Sequence, residues 1–510
     1  MLERAVWLVP LLPWLAAAGI AVCALRGRRG DASERIPAQL ALWASAAALI
    51  LLLLIDARAL WGRFPGQVRL IPWLESGSYR IWISFTLDAL GLGLATLAAL
   101  AGLLTVRFSV AYLHREAGFQ RFFLVLCLFN GAMSLILLAG NVALTFMGWE
   151  LAGVSSYLLI GYALDRPIPG DNATAAFVTN RVGDVGFVLG IYLAFAWLSG
   201  IEWPQILTEA SGLSLNLIVA GFLLAALAKS AVLPFSSWIT GALEGPTPSS
   251  ALFYGAIMVH AGLYLVLRLE PLLHQAPVLM ALIAVLGFLT AIYGSLVGLT
   301  QTDVKSSLMF ATTAQVGLMF FLCGLGYFTL AAWYLAAHAL WRLHQFLAAP
   351  GLMQGLEPAR PVPRWLSRWP WLYTASLQRF WLETLSDGLL VRPTRGMARD
   401  LHTFDEEVMS RIIGHPEQDS TIHSLVQWET YRGAVLPGRI AGRGMAGRLL
   451  QWLAQQLARL EERLLLARGG AALKARVQAI GEVLTRIEEL LSQPRYLFFM
   501  VMVTFVVILR

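Results

Sequence analysis

Long apolar runs recur along most of this chain and constrain its fold more than any other feature. A helix that crosses a bilayer needs roughly 20 mostly apolar residues. Such runs lie near residues 5–25, 38–60, 85–106, 121–139, 141–163, 174–198, 213–235, 249–269, 277–299, 306–325 and 327–349, with a last one at 496–509. Only 14% of the 510 residues are charged, and soluble domains carry about 25%. The pattern predicts an all-α polytopic membrane protein, surrounded by a lipid bilayer, with about 12 transmembrane helices.

Charge and cysteine content argue against several classes of protein. A net charge of +7 spread over 510 residues is too dilute for a phosphate-binding surface, so nucleic acid is not a predicted partner. Cys23, Cys127 and Cys323 lie far apart without a CxxC motif, which indicates neither an iron–sulfur cluster nor a zinc site. P-loop, HExxH and GxSxG motifs are also absent from the sequence. The sequence therefore predicts no metal site, no cofactor and no redox centre in this chain.

Arginine distribution predicts the orientation of the helices, because cytoplasmic loops are enriched in Arg and Lys. The loop after the first run carries Arg26, Arg28, Arg29 and Arg35, which places that loop in the cytoplasm and the N-terminus outside. The first run is interpreted as a retained helix rather than a cleaved signal peptide. Alternation of the spans then places residues 350–494 in the cytoplasm, and the protein is predicted to be a multi-pass protein of the cell inner (plasma) membrane.

The same pattern divides the chain into four regions. Residues 1–84 form N-terminal transmembrane helices and a loop, and residues 85–350 form the transmembrane core. Residues 351–494 are more polar and form an amphipathic helical segment, and residues 495–510 form a C-terminal transmembrane anchor. The amphipathic segment has an apolar seam at heptad spacing. The seam consists of Leu473, Val477, Ile480, Leu484, Ile487 and Leu491. The seam fits two alternative structures: a helical hairpin that packs on itself, or a long helix that runs along the membrane face.

Lysine is rare in this chain, and two lysines lie within or beside apolar runs. Among the 38 Lys and Arg residues, only Lys229, Lys305 and Lys474 are lysines. Arginine does not release its proton at accessible pH, whereas a desolvated lysine can. Lys229 stands in the middle of a predicted span and is therefore predicted to carry protons. Lys305, at the start of a run, fits a proton carrier and a snorkelling side chain equally well.

Two carboxylates lie inside predicted spans, where a charge is costly unless it is paired or hydrated. Asp184 has Arg181 three residues before it, a spacing that favours a local ion pair on one helix face. Glu150 has apolar turns on both sides and needs a partner from another helix, for which we expect Lys229. An opposing carboxylate raises the proton affinity of a lysine, so this pair predicts a site that loads and releases a proton.

Proline and histidine mark two further features of the core. Pro234 follows Lys229 by five residues and predicts a helix break, and Pro246 and Pro248 predict a rigid connection after it. Broken helices in membranes are tolerated where they line polar cavities. The side chains predicted to relay protons beyond the break are His260, His338, Arg342 and His344. A single histidine of this kind is often only a hydrogen-bonded core residue.

Five motifs occur in a fixed order between about residues 85 and 350. They are RFSVAYLHREAGFQRFF, NVALTFMGWELAGVSSYLLIG, TNRVGDVGF, AKSAVLPFSSWITGALEGPTPSSAL and TDVKSSLMFATTAQVGLMF. Together they resemble the proton-conducting, antiporter-like membrane subunits of respiratory complex I, above all chain L, also called subunit 5. The later motif FWLETLSDGLLVRPTRGMARDLHTFDEEVM resembles the C-terminal region of chain L, where a lateral helix precedes a final anchor.

The resemblance implies roles for individual residues. Glu150 and Lys229 match the charged pair of the family, and Asp184 matches its modulating acid. Lys305 matches the lysine of the family's TDxK motif, and His338 matches a histidine of its broken helix. It implies that protons reach a half-channel near Lys229 and then pass along a central polar axis.

Departures from the family pattern concern the same axis. Arg342 stands where the family usually has a lysine, while Tyr334 and Tyr254 stand where it usually has histidines. His260 has no counterpart in that pattern. Between the run ending near residue 350 and the chain-L-like tail, about three spans of the family are missing, and these carry a lysine that passes protons to the far side.

Three functions fit these features. The first is a proton-translocating membrane subunit of a complex I-like NADH–quinone oxidoreductase, whose partner subunits hold the redox centres. The second is the membrane subunit of a DAB-type inorganic-carbon accumulation complex, which feeds protons to a soluble zinc-containing, carbon-hydrating partner. The third is a cation/proton antiporter subunit or an inert membrane scaffold, in which the buried charges are merely paired.

Overall fold

A computed structural model shows the described part of the chain as mostly helical. The structure describes residues 2–25, 31–62, 64–76, 79–256, 258–353 and 362–404, and the single residues 452, 479, 481 and 482. Residues Met1–Val391 form one compact unit, and a second unit begins at Arg392. The predicted heptad seam and the predicted anchor at 495–510 lie outside the described residues.

The first compact unit contains eighteen of the described α-helices, and the second begins with the nineteenth. In chain order they are α1 (Leu8–Leu25), α2 (Asp31–Trp61), α3 (Ala89–Tyr112), α4 (Phe119–Leu138), α5 (Val142–Ile160), α6 (Pro167–Leu198), α7 (Trp203–Glu209), α8 (Gly212–Lys229), α9 (Trp238–Gly241), α10 (Thr247–Ser250), α11 (His260–Arg268), α12 (Glu270–Leu273), α13 (Pro277–Gly298), α14 (Val304–Gly324), α15 (Phe328–Met353), α16 (Arg364–Ser367), α17 (Pro370–Leu377), α18 (Leu382–Ser386) and α19 (Arg392–Thr403). A π-helical stretch, Ala251–Ala256, follows α10 and leads towards α11.

Ten helical segments of the described chain are long and apolar enough to cross a membrane. They correspond to the first ten predicted spans, which confirms the polytopic all-α fold. The eleventh predicted run forms α15, a helix of 26 residues, but it is not among the ten. Its buried or half-buried polar residues, His338, Arg342 and Gln345, explain this, because they lower its mean hydropathy. The twelfth predicted run lies outside the described residues.

The residues between α2 and α3 form a β-hairpin rather than the loop predicted for them. Strand β1 (Gly66–Ser76) pairs antiparallel with β2 (Tyr79–Leu87), with Gly66 opposite Leu87. β-Branched and aromatic residues recur in both strands, as a pleated surface favours. Since α3 begins at this hairpin and α4 and α11 end on the same side of the bundle, we call this side the hairpin face. The second span therefore ends before the hairpin, and the third begins at Ala89 instead of residue 85.

Small residues let the helices of the bundle approach closely, as is common in membranes. A Cβ atom added at Gly294 on α13 would lie 2.5 Å from the backbone nitrogen of Ala314 on α14, and one at Gly317 would meet Ala291 equally closely. Large apolar side chains such as Trp43 and Val278 point outward instead. Lipid as the surrounding solvent accounts for this outer surface.

Helix α8 ends earlier than the sequence predicted. The apolar run extends to residue 235, but the helix stops at Lys229, and Ala231 has a φ of +52°. Pro234 lies in the irregular stretch that follows, and short helical turns lead to α10. Pro246 and Pro248 flank the first residue of α10, which agrees with the preference of proline for helix starts. Lys229 therefore occupies the end of a broken helix and not the middle of a continuous one.

Candidate functional site

Helices α5, α6 and α8 bring four charged side chains together inside the bundle. Glu150 of α5 forms an ion pair with Arg181 of α6, and Arg181 also lies 2.9 Å from Asp184, measured from Nε to Oδ2. The second Asp184 oxygen accepts a hydrogen bond of 2.8 Å from the indole nitrogen of Trp149. We call Glu150, Arg181, Asp184 and Lys229 the charged cluster. Two negative and two positive groups balance its formal charge, which makes their joint burial tolerable.

Lys229 is the most deeply buried member of the charged cluster, with 1% of its surface exposed. Its ammonium group donates a hydrogen bond of 3.2 Å to the backbone oxygen of Trp149 and lies 5.1 Å from the centre of that indole ring. The charges that act on it are those of Asp184, Glu150 and Arg181. If Lys229 loses its proton, the cluster gains a net negative charge, which favours the return of a proton.

The structure differs from the prediction that Lys229 is the direct partner of Glu150. Its contact from another helix is made by Arg181, and Lys229 bonds to a backbone oxygen instead. The expected local pair of Arg181 and Asp184 is present. The guanidinium of Arg181 lies 4.4 Å from the centre of the Phe177 ring. Because a guanidinium is planar and carries several donors, it contacts the carboxylates of Glu150 and Asp184 at once.

The break after α8 is fixed to α11 by direct backbone contact. The hydroxyl of Ser230 donates a hydrogen bond of 2.6 Å to the backbone oxygen of Val259, immediately before α11. A Cβ atom at Gly262 would lie 2.2 Å from the backbone oxygen of Ala226. This close approach places the end of α8 at the level at which α11 begins, beside His260.

A second polar group joins α11 to α15. His260 Nε2 lies 3.1 Å from His338 Nδ1, and the Nε atom of Arg342 donates to His338 Nε2 at 3.3 Å. Arg342 also donates to the side chain of Gln345 at 2.8 Å. We call His260, His338, Arg342 and Gln345 the histidine cluster. The structure therefore brings together three of the four side chains that the sequence proposed as a relay, and it places His338 and Arg342 on one helix face as expected.

Two predicted site residues lie apart from both clusters. His344 is exposed, and its ring faces Trp341 at a centroid distance of 6.1 Å. Lys305 is half-buried in the first turn of α14, next to Asp303, which caps that helix through a bond of 2.8 Å to Ser306. In the described part of the chain, no hydrogen bond or ion pair joins Lys305 or His344 to either cluster.

Sequence reasoning did not identify two contributors to these clusters. Trp149 links Asp184 to Lys229 by donating from its ring and accepting at its backbone, and its position directly before Glu150 was the available signal. Gln345 gives Arg342 an acceptor, and its spacing of three residues from Arg342 on one helix was the corresponding signal. Among the described residues, no group of three or more His, Cys, Asp or Glu could hold a metal ion.

Comparison with known proteins gives two family matches within the transmembrane core and the hairpin region. Residues 139–360 match the family described as NADH:quinone oxidoreductase/Mrp antiporter, TM. Residues 73–123 match the family described as NADH-Ubiquinone oxidoreductase (complex I), chain 5 N-terminus. The first match contains both clusters, and the second contains strand β2 and α3.

Individual relatives agree with these matches. The chain is 36% identical over 371 residues to NAD(P)H-quinone oxidoreductase subunit 5, chloroplastic, of Nephroselmis olivacea, which covers 70% of this chain and 56% of that protein. It is 32% identical over 371 residues to NAD(P)H-quinone oxidoreductase chain 5 of Synechocystis sp., covering 70% and 54%. The chain spans about half the length of the curated relatives it matches.

A solved structure is also similar. The Mrp complex from Dietzia sp. contains a chain that aligns with a TM-score of 0.59 and 25% sequence identity, over 67% of this chain and 37% of that chain. The aligned helices, the two family matches and the subunit 5 relatives all point to one group of membrane proteins. Over residues 73–123 and 139–360, the chain therefore matches the antiporter-like membrane subunit family of complex I, of the chain 5 type.

Proposed function

We propose that this chain is a proton-translocating membrane subunit of a complex I-like NADH–quinone oxidoreductase, and that partner subunits carry out the redox chemistry. One observation carries the proposal. Lys229 is buried at the end of a broken helix, within a cluster whose other cation, Arg181, cannot release a proton. Lys229 is thus the cation of the cluster that can load and unload a proton.

The geometry of the charged cluster suggests how a proton is loaded and released. The carboxylates of Glu150 and Asp184 attract the positive charge of Lys229, and the guanidinium of Arg181 repels it. Glu150 keeps 25% of its side chain exposed, whereas Asp184 is held by Trp149 and keeps 6%. A small movement of the less confined Glu150 would therefore change the charge seen by Lys229, while Asp184 stays in place.

The histidine cluster provides the next acceptors in the proposed path. His260 lies beside the end of α8 and contacts His338, which gives two imidazoles that can pass a proton in sequence. Arg342 supplies a fixed charge at the end of this pair. Lys305 and His344 have no assigned step, since neither contacts a cluster in the described residues.

Lys229→Arg tests this function directly. Arginine keeps the positive charge and the hydrogen-bond donors but does not deprotonate, so proton uptake should fall by about a hundredfold or more while the protein still inserts. Uptake would be measured in vesicles that hold the whole complex. Lys474→Arg is the matched control, and it should keep the parental rate. Parental uptake in Lys229→Arg would remove Lys229 from the path.

Partners and location extend the same proposal. Redox subunits of the membrane complex would bind this chain, which would lie in the cell inner membrane with residues 350–494 in the cytoplasm. The arginines that the sequence has between the first two helices, Arg26, Arg28 and Arg29, support this orientation. Labelling of Cys23 from either side of sealed vesicles, with Cys127 and Cys323 replaced by serine, would test it.

A second candidate is the membrane subunit of an inorganic-carbon accumulation complex with a soluble zinc-containing partner. The short stretch between the end of α15 and the tail that resembles chain L favours it, because spans of the longer family members are missing there. Purification of the native complex separates the candidates. Quinone-oxidoreductase subunits in the purified complex would support the first, and one large zinc protein would support the second.

A further inference from the structure

Helices α6 and α8 pack tightly along their shared face until α8 ends. A Cβ atom added at Gly190, Gly186 or Gly183 of α6 would lie 2.6–2.8 Å from an atom of α8. The contact of Gly183 is with Ala228, and α8 stops one residue later at Lys229. The helix α8 runs away from the hairpin face, so the part of α6 that lies farther from this face has no further turn of α8 to pack on.

Helix α18 packs on α6 just beyond the point where α8 has ended. Thr179 lies four residues before Gly183 and thus on the same face of α6. The buried hydroxyl of Thr179 lies 3.4 Å from the hydroxyl of Ser386, the last residue of α18. The π-helical turn that follows α18, Asp387–Val391, also contacts α6. These contacts cover the face of α6 that α8 leaves free.

The same helix also holds the irregular stretch that follows α8. Glu383 of α18 accepts a hydrogen bond of 2.5 Å from the hydroxyl of Thr240 in α9. Helix α9 is in turn fixed to the end of α8, because the indole nitrogen of Trp238 donates to the backbone oxygen of Ala228 at 3.0 Å. Since Ala228 directly precedes Lys229, α18 is linked to the end of α8 through α9 and two hydrogen bonds.

A turn with an unusual backbone conformation fixes the position of α18. Arg379, Phe380 and Trp381, directly before α18, all have φ values of 51–54°. Residues with a side chain rarely adopt this conformation, so contacts must hold it. Arg379 donates to the carboxylate of Glu383 at 2.6 Å, and the ring of Phe380 lies 5.9 Å from the ring of Tyr293 on α13. The turn therefore attaches α18 to α13 as well as to α6 and α9.

We propose that α18 is a brace that sets the position of Lys229 within the charged cluster, with Glu383 as its positioning residue, an inference that rests on the proposed function. Arg181 lies on α6 and Lys229 ends α8, so the separation of α6 from the end of α8 decides how strongly the cluster acts on Lys229. In the described part of the chain, Glu383 has no hydrogen bond or ion pair with the charged cluster. Glu383 acts through Thr240 and Trp238.

Two substitutions of Glu383 separate the brace from a general effect of charge. Glu383→Ala removes the acceptor of Thr240, so proton uptake by vesicles that hold the whole complex should fall about tenfold. Glu383→Gln keeps an acceptor, and the ion pair that it loses with Arg379 is partly exposed. Such pairs contribute little, so uptake by this variant should stay within about threefold of the parent. Parental uptake by Glu383→Ala, or equal losses in both variants, would overturn the brace.

Glu244→Ala is the matched control for Glu383→Ala. Glu244 lies four residues after Thr240 and pairs with Arg166, at the start of α6, at 3.4 Å. Uptake by this variant should equal that of the parent. An equal loss in Glu244→Ala and Glu383→Ala would show that removal of any carboxylate from this stretch lowers uptake, and it would overturn the brace.

Hydrogen–deuterium exchange measures the brace without transport. In the purified complex, amides of residues 235–241 should exchange faster in Glu383→Ala than in the parent, because α9 has lost its link to α18. The same amides in Glu244→Ala should exchange as they do in the parent. Parental exchange in Glu383→Ala would show that α18 does not hold α9.

A disulfide between α6 and α18 tests the brace while the contact is kept. The hydroxyls of Thr179 and Ser386 are 3.4 Å apart, so sulfur atoms in their places can bond. Thr179→Cys and Ser386→Cys would be combined in a parent whose Cys23, Cys127 and Cys323 are replaced by alanine. The oxidised and reduced forms should transport at equal rates, because a brace stays in place during transport. Arrest on oxidation that a reductant reverses would show that α18 must leave α6, and it would overturn the brace.

Two outcomes separate the brace from the proposed function. Full transport by Lys229→Arg contradicts the proposed function, and the exchange of residues 235–241 then still tests the brace. Loss of transport in Lys229→Arg, together with parental uptake and parental exchange in Glu383→Ala, contradicts only the brace.

Discussion

Glu202 is a buried carboxylate outside the membrane-spanning segments, and it ties the β-hairpin to the helices. It accepts a hydrogen bond of 2.8 Å from Ser84 of β2 and one from the side chain of Gln67 of β1. Burial raises the pKa of Glu202 above the ordinary value of 4.5, and these hydrogen bonds and the charge of Arg69 only partly offset it. The folded protein therefore holds this proton more tightly than the unfolded chain does.

The sign of this pKa shift predicts how stability depends on pH. The contribution of Glu202 is fully present below pH 4.5 and is lost as the pH rises through its higher folded pKa. Glu202→Gln stays neutral, so the parent's thermal midpoint should fall between pH 4 and pH 7 by on the order of 1–2 °C more than the variant's. Thermal unfolding in detergent would measure this.

Glu75→Gln is the control for Glu202→Gln, because Glu75 lies on the same hairpin but is exposed and paired with Arg80. Its unfolding curve should depend on pH as the parent's does. Identical pH dependence in Glu202→Gln and the parent would show that burial of Glu202 does not affect stability in this range.

For individual residues, the sequence predicted which ones are polar and buried better than it predicted their partners. Lys229, Glu150 and Asp184 were identified because ionisable groups inside apolar runs are costly. The choice of Lys229 as the partner of Glu150 failed because sequence spacing does not give the reach of Arg181 across to another helix. Contacts within one helix, such as Arg181 with Asp184, follow from spacing alone.

Among the elements, the contact of α8 with α11 is the tightest point near the charged cluster. A Cβ atom at Gly262 would meet a backbone oxygen at 2.2 Å and the hydroxyl of Ser230 at 2.4 Å. Gly262→Ala must push the helices apart, and it should cost about 1–3 kcal/mol of unfolding free energy and lower the transport rate. Denaturant unfolding in detergent and vesicle uptake would measure both effects.

Gly298→Ala provides the matched control for Gly262→Ala. Gly298 is also a helical glycine, but a Cβ there would find its nearest neighbour, the Cβ of Phe310, at an ordinary 3.5 Å. This variant should change the unfolding free energy by less than about 0.5 kcal/mol. Equal stability of both variants would show that α8 and α11 can separate without cost.

The helices themselves were largely predictable, because hydropathy marks every long apolar segment. The β-hairpin was missed because its strands lie between two strong helical signals, where polar and arginine-rich residues also suggest a loop. The end of α8 was missed for another reason. Residues 230–233 continue the apolar run, so composition cannot show that hydrogen bonding changes at Lys229.

For the whole molecule, we predict that the tail acts as a clamp on a partner and not as a proton path. The predicted seam, which lies outside the described residues, has apolar residues at its six positions, and burying each would contribute roughly 1.5 kcal/mol or more. Replacing Ile480 and Leu484 together by Glu would bury two unpaired carboxylates. The complex should dissociate in native gels while the transmembrane part stays folded.

Ala479→Glu is the control for this tail variant, because Ala479 is not one of the six seam residues. The complex should survive this change in native gels. An intact complex with both Ile480→Glu and Leu484→Glu would contradict the clamp and show that the seam does not hold a partner.

The polar composition of α15 has a consequence for how the protein is made. Arg342 alone, at the middle of an isolated helix, would oppose insertion by about 2.5–3.5 kcal/mol. In the folded bundle its neighbour His338 contacts His260, which is synthesised earlier. Helix α15 also packs against α14 and α3, both of which precede it. During synthesis, α15 should therefore enter the bilayer only after its partner helices are already there. In a chain that lacks α11 but keeps α15, we expect α15 to remain in water.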